Sequence, residues 1–463
     1  MQSKTIPKIV LVCSLALIYF AGMARGLTWA NQGADGGDLI TAAATGGIAH
    51  PSGYPTYLLI ARLFQFIPIG SLAFRTNIMS AFMAVCATLA VYEIVSASQN
   101  RLASLASAYA IGLSPLFWSQ AVITEVYALH VLCIAILLLL SAKNSHHFLF
   151  GLIFGLGMGN HITIIFTLPV LFNTEKKYLL QRIMGVGLGL TVYLTLPLRA
   201  MTHPPVNWGN PVTLENFIWL VSGKLYQGQL FSLTPGALWG RIQASAALFL
   251  EQFGVIGLLI GFMGVIVYYK PSRLNYNMFW ITSAFLIFPL AYDTRDSFVY
   301  LLPAFLCFAI WIGIGLGNLM DIAAQSSRRV SLWIGSIFLA ILFLQAIGHW
   351  RQVDAAHDDR AENFGKEIMA TIPGNAIIFA KGDQAVLSLW YFHYALKERP
   401  DIAIIATDLL QNEWYQETIR NNYPNLTLPD FFMFPEVVSA YNPGRTICHV
   451  EYARSAQITC EGK

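Results

Sequence analysis

Apolar stretches of about 17 to 25 residues, the length that spans a bilayer as a helix, recur along the chain from residue 9 to residue 348. That recurrence confines the chain to one class, a polytopic α-helical membrane protein. Composition agrees: 11% of the 463 residues are charged and 56% hydrophobic, against roughly 25% charged in soluble domains. The net charge of +3 says little, because in a membrane protein the placement of Lys and Arg carries the information. No basic run interleaved with aromatics points to nucleic acid.

Lys4 and Lys8 precede an apolar run over 9–24, read as an uncleaved signal anchor. With Lys and Arg marking cytoplasmic ends, further spans are expected over 74–96, 102–119 and 124–142. A broken pair, 148–159 and 162–172, follows, and neither half alone crosses a full bilayer untilted. The remaining expected spans are 183–198, 244–269, 277–292, 298–316 and 330–348. The tally is about 11 spans with a cytoplasmic N-terminus. Arg101, Lys143, Lys176, Lys177, Arg182, Lys270, Arg273, Arg328 and Arg329 then share one side. The expected location is the cell inner membrane, with residues 1–350 as its membrane domain.

The opposite, outer face receives two long loops, 25–73 and 199–238, and long loops on such proteins usually carry function. Within the first, 57–64 is suited to a helix lying in the interface. From residue 351 to 463 the pattern is that of a soluble α/β unit. Strands are expected at 375–380 and 401–406 and helices at 384–398 and 409–422, which implies a small parallel sheet. No glycine-rich phosphate fingerprint is present there. Cys13, Cys86, Cys133 and Cys307 lie in apolar stretches, where a thiol is a small hydrophobe. Cys448 and Cys460 could pair if their region faces an oxidising compartment. No His or Cys cluster has the spacing of a structural zinc site.

The outer face collects a small set of chemically capable residues. Asp35 and Asp38 flank Gly36-Gly37, so their carboxylates could share a site in which one pKa is raised toward the range of a base. Asp38 equally occupies the place of an N-cap for the helix that follows. Asp35 has no such structural duty, because a glycine-rich turn does not require an acid. His50 opens the segment His50-Pro51-Ser52-Gly53-Tyr54-Pro55, whose prolines stiffen it while Gly53 allows a tight turn. A rigid loop of this kind can aim an imidazole at a phosphate or a hydroxyl, or simply satisfy itself. Glu125 and His161, beside Asn160 at the break in the helical pair, are polar groups at membrane depth, which tend to face a cavity or a partner. Arg295, in Tyr292-Asp293-Thr294-Arg295-Asp296, matches phosphate geometry but could instead pair with Asp293 or Asp296. Arg62 and Arg199 are candidates for the same task, although interfacial arginines often only snorkel. Tyr54 and Trp208, on the same face, complete the set of candidate substrate-binding residues. Asp35, Asp38 and Glu125 could supply oxygen ligands to a divalent cation.

An acid pair in the first outer loop, an interfacial helix and about a dozen spans resemble the GT-C glycosyltransferases. More narrowly, Asp35-Gly36-Gly37-Asp38-Leu39-Ile40-Thr41-Ala42-Ala43 with Ala49-His50-Pro51-Ser52-Gly53-Tyr54-Pro55 is similar to the Asp-Ser-Gly-Glu-Leu and His-Pro-Pro-Gly-Tyr-Pro signature of the transmembrane protein 260 type of protein O-mannosyltransferase. The similarity continues through Ala73-Phe74-Arg75-Thr76-Asn77, Thr124-Glu125-Val126-Tyr127, Gly159-Asn160-His161-Ile162-Thr163 and Asn207-Trp208-Gly209-Asn210-Pro211. It reaches Ile372-Pro373-Gly374-Asn375, Gly382-Asp383 and Arg399-Pro400-Asp401. Asp38 stands where the family has glutamate, and Gly36 and Ser52 replace Ser and Pro.

The resemblance implies a GT-C-like bundle with inverting transfer of a sugar, mannose in the family's case, from a polyprenyl-phosphate carrier to a hydroxyl of a protein or glycan. A first-loop acid, Asp35 or Asp38, would act as base, and a basic group would hold the departing phosphate. The competing classes are a secondary transporter, whose substrate path the broken helices would line, and a lipid-handling protein without catalysis.

Overall fold

A computed structural model describes residues 5–267, 272–294 and 296–461. Six described helices are long and apolar enough to cross a membrane: Leu72–Ser96, Lys176–Ala200, Pro235–Val267, Arg273–Ala291, Ser297–Ser326 and Arg328–Val353. A bent pair, Arg101–Gly112 with Pro115–Ala121, makes a seventh. Four shorter apolar helices, Ile6–Gly22, Tyr127–Lys143, His147–Met158 and Ile162–Phe172, join the bundle. Length and composition qualify six or seven spans, fewer than the expected 11. The difference lies in the short pieces, each below the roughly 17 to 25 residues that cross alone without tilt or thinning.

The span expected over 102–119 is bent. The chain turns by 69° there, because Pro115 disfavours α-geometry at the residue before it and Ser114 is extended (ψ 130°). The span expected to start at 183 starts at Lys176 instead and passes through a tighter turn, Thr191–Leu194. The one expected at 244–269 starts at Pro235, with a break at Gly254 (φ 64°). Lys270 lies outside the described residues.

Packing follows from sequence pattern. Leu11, Leu15 and Tyr19, one helical turn apart, form the buried stripe of Ile6–Gly22, and the Tyr19 hydroxyl donates to the Gly112 carbonyl at 2.7 Å. Ser297–Ser326 is the central helix, buried over nearly its whole apolar stretch. The short helix Pro55–Gln65 begins at Pro55, a favoured first helical position, and buries Tyr57, Leu58 and Ala61.

The C-terminal part contains a four-stranded sheet of β1 (Ile377–Lys381), β2 (Ala403–Ala406), β3 (Ile447–Tyr452) and β4 (Ala456–Glu461) in the order β2-β1-β3-β4. β1 runs parallel to β2 and β3, whereas β4 returns antiparallel to β3 and places Cys460 opposite Cys448, with which it forms a disulfide. The helix expected over 384–398 is Asp383–Trp390, continued by a wider turn, Tyr391–Ala395. The second begins at Glu413 rather than 409, after the short turn Thr407–Leu409.

This unit seats directly on the first loop. The Asp358 carboxylate accepts from the Thr28 hydroxyl at 2.6 Å and from the Trp29 and Ala30 amides at 2.9 and 2.6 Å, the charge-assisted bonds a carboxylate makes best. Trp29 Nε1 donates to Ser388 Oγ at 3.1 Å. Closest of all is Gly37, where a Cβ would lie 2.3 Å from the Leu387 carbonyl oxygen. The Gly36-Gly37 pair is therefore the start of a helix against which a second backbone packs, rather than a free turn. Gly37→Ala is expected to cost about 1–3 kcal/mol, seen as a lower midpoint of thermal unfolding of the purified protein. An unchanged midpoint would contradict this docking.

Candidate functional site

Helix Gly36–Thr45 starts one residue after Asp35, its N-cap residue, so Asp38 lies within the first turn. The N-cap expectation for Asp38 is thereby corrected. Its side chain is fully buried and is held by three donors: the His50 amide at 2.9 Å and His50 Nδ1 at 2.7 Å on one oxygen, and Trp208 Nε1 at 3.0 Å on the other. A carboxylate out of water needs this degree of satisfaction.

His50 reaches Asp38 because the following residues turn tightly. The Gly53 amide donates to the His50 carbonyl at 2.8 Å, and Gly53 (φ 85°) and Tyr54 (φ 45°) adopt left-handed geometry before Pro55 begins the next helix. The other ring nitrogen, Nε2, lies 3.7 Å from Asp35 Oδ2. The imidazole thus sits between two acids that differ in access: the Asp38 side chain is 0% exposed and that of Asp35 45%.

Asp35 opens into a cavity of about 630 Å³. His50, Tyr54, Tyr127, His161, Tyr226 and Tyr300 supply much of its wall, and Asp296 and Asp383 add two more acids. Burial pushes the Asp35 carboxyl up, His50 pulls it down, and Asp383 and Asp38 push it up again, leaving it above the ordinary value of 3.8. For His50, burial works against the charged ring, but Asp35 and then Asp38 outweigh it and raise the imidazole to about 9. The imidazolium of His50 is thus flanked by two acids, of which only Asp35 is accessible.

The chain matches the N-terminal domain of the protein O-mannosyl-transferase TMEM260 over residues 35–178 and the TMEM260-associated domain 2 over residues 361–429. The first match opens at Asp35 itself. Both matched segments are thus similar to TMEM260 domains. The protein O-mannosyl-transferase TMEM260 of Mus musculus is 24% identical over 91% of this chain and 65% of its own length. The Dictyostelium discoideum protein of that name is 23% identical over 95% of this chain and 62% of its own length. The chain therefore spans a little under two thirds of the length of these relatives. Among solved structures, ArnT from Cupriavidus metallidurans bound to undecaprenyl phosphate shares the fold (TM-score 0.63, 11% identity, 97% of this chain and 93% of that one).

Of the other residues singled out from sequence, Tyr54 and His161 line the cavity, and Trp208 stands behind Asp38. His161 Nδ1 lies 2.8 Å from the Thr163 hydroxyl and caps the tight turn after the helix break. Glu125 is buried beside the cluster without lining the cavity. Two expectations are corrected. Arg62 donates to the Ala44 carbonyl at 2.7 Å and Arg199 to the Gly47 carbonyl at 3.1 Å. Both satisfy carbonyls at and just beyond the C-terminal end of helix Gly36–Thr45, where cations are favoured, and neither lines the cavity. Arg295 lies outside the described residues. Asp293 pairs with Arg241, whose guanidinium also binds the Tyr292 and Thr294 carbonyls.

Asp38 is not free to ligate a divalent cation. Both Asp38 oxygens are occupied by donors, and among the described residues no group of three His, Cys, Asp or Glu is arranged to hold one. Sequence reasoning missed Tyr226, Tyr300, Asp296 and Asp383 as cavity residues. The Gly382-Asp383 pair was visible as a shared motif, but nothing local showed that it reaches a site 333 residues upstream.

The cluster also sets a pH dependence. The folded pKa of His50 lies above its ordinary 6.5, so the stabilisation is complete below 6.5 and is lost as pH rises through about 9. The thermal midpoint is expected to fall across that window. Asp38→Asn should lower it at neutral pH by the equivalent of about 3–5 kcal/mol and flatten its pH dependence. A wild-type midpoint that does not change across the window would contradict the cluster.

Proposed function

We propose that the protein is an integral-membrane, inverting glycosyltransferase that moves a sugar from a polyprenyl-phosphate carrier to a hydroxyl on a protein or glycan. The observation that carries this reading is the asymmetry of the acid pair. Asp38 is sealed and fixes His50, while Asp35 presents its carboxylate to a cavity large enough for a sugar and an acceptor side chain. The TMEM260 relatives, named as protein O-mannosyl-transferases, and the ArnT fold with its undecaprenyl phosphate support the same class.

In the proposed step the acceptor hydroxyl approaches the anomeric carbon and gives its proton to the Asp35 carboxylate. The new oxygen–carbon bond forms as the bond to phosphate breaks, and the carrier phosphate leaves with the bonding electron pair on the opposite side. A positioned base contributes typically 10²–10⁴-fold. His50 balances the anionic charge of Asp35, and Asp38 and Trp208 hold His50 in place. The charge of His50 is already matched by two carboxylates, so the leaving phosphate calls for another cation. Arg295, singled out from the sequence, is the candidate, because a guanidinium matches phosphate geometry and keeps its charge. The membrane would be the cell inner membrane, with the C-terminal unit outside, where the Cys448–Cys460 disulfide is chemically at home.

The test is incubation of the purified protein with a panel of polyprenyl-phosphate sugars and acceptors, with mass analysis of products. Transfer should be seen with wild type and fall by about 10²–10⁴ in a folded Asp35→Asn variant. Near-normal transfer by that variant would reject Asp35 as base, and solute uptake into vesicles without transfer would favour a transporter. Because His50 lowers the Asp35 pKa, His50→Gln should move the acid limb of the rate profile to higher pH. A limb that stays put or moves lower would contradict the assigned coupling.

A further inference from the structure

Apart from the Asp35 cavity, with which it shares no lining residue, a second cleft of about 360 Å³ lies between helix Leu214–Val221 of the second loop and helix Glu413–Asn422 of the C-terminal unit. Two half-buried indoles, Trp219 and Trp414, form its aromatic wall, with ring centroids 6.0 Å apart and planes inclined by 50°. Asn216, Gln411, Glu413 and Glu417 bring amides and carboxylates to the same space. The side chains of Gln411 and Glu413 and the Trp219 indole N–H have no hydrogen-bond partner among the described residues.

The segment 207–210 builds this cleft and ties it to the Asp38 cluster. The Asn210 side chain donates to Glu417 Oε2 at 2.9 Å, and its carbonyl accepts from the Asn216 amide at 3.1 Å. Gly209 (φ 69°) leaves room for the Trp219 ring, which a Cβ would meet at 3.1 Å. Trp208 has its ring 5.6 Å from Trp414 on one side and donates to Asp38 on the other. The cleft is thus a designed junction of two chain segments, with an aromatic path back to His50.

The chemistry selects a ligand. Inclined indole faces suit the C–H faces of a sugar ring, and unpaired amides and carboxylates suit its hydroxyls. An anion would be repelled by Glu413 and Glu417, and a lipid tail would leave the polar groups unsatisfied. We propose that this cleft is a carbohydrate-binding subsite that holds a ring of a neutral glycan outside the Asp35 cavity. The proposal goes beyond the transferase reading and needs no turnover.

It is tested on the full chain in lipid nanodiscs, because maltoside detergents would compete. Neutral di- and trisaccharides, and an unglycosylated peptide for comparison, are titrated while tryptophan fluorescence and heat are recorded. Saturable saccharide binding is expected, weakened about tenfold in Trp219→Ala, weakened also in the conservative Glu413→Gln, and retained in Asp35→Asn, which separates binding from transfer. The proposal is overturned by no saturable saccharide binding, by unchanged affinity in both cleft variants, or by binding of the peptide alone.

Discussion

The site depends on one buried negative charge. Asp38 is shut off from water, and leaving such a carboxylate without partners would cost several kcal/mol. Its three donors come from two loops, His50 from the first and Trp208 from the second. Satisfying the charge therefore draws these loops together, helped by the pairing of Ile48 with Asn207. The same constraint points His50 Nε2 toward Asp35, so the cavity-facing end of the cluster is positioned by a residue that never faces the cavity.

Chain segments far apart in sequence contribute to this arrangement. Asp383 enters the cavity from the first helix after β1, and Gly37 admits the Leu387 backbone at a distance no side chain would tolerate. The C-terminal unit is accordingly a wall of the site as well as a neighbour of the bundle. The segment 207–210 serves both ends, with Trp208 on Asp38 and Gly209 and Asn210 shaping the second cleft.

Much of this was legible where chemistry and backbone signals coincide locally. Asp35, the turn at His50 to Gly53, the helix break at Asn160-His161 and the first two strands of the sheet were all marked by glycine, proline or alternation. The division of labour between the acids was less legible, because the helix begins at Gly36 and so moves Asp38 from the cap into the first turn. The roles of Arg62 and Arg199 were hidden for a related reason: a cation near a membrane surface reads the same whether it meets a phosphate or a helix C-terminus. Tyr226, Tyr300 and Asp383 come together only through tertiary packing, which no local spacing announces. The bend at Ser114-Pro115 carried its own signal, outweighed by the unbroken apolar run around it.

Asp38 and Asp35 together hold His50 as an imidazolium. This is tested most directly by NMR titration of the His50 ring in the full-length protein, assigned by the signal lost in His50→Gln. The expected midpoint is about 9, falling back toward the ordinary 6.5 in Asp38→Asn. A wild-type midpoint near 6.5 that does not respond to Asp38→Asn would contradict it.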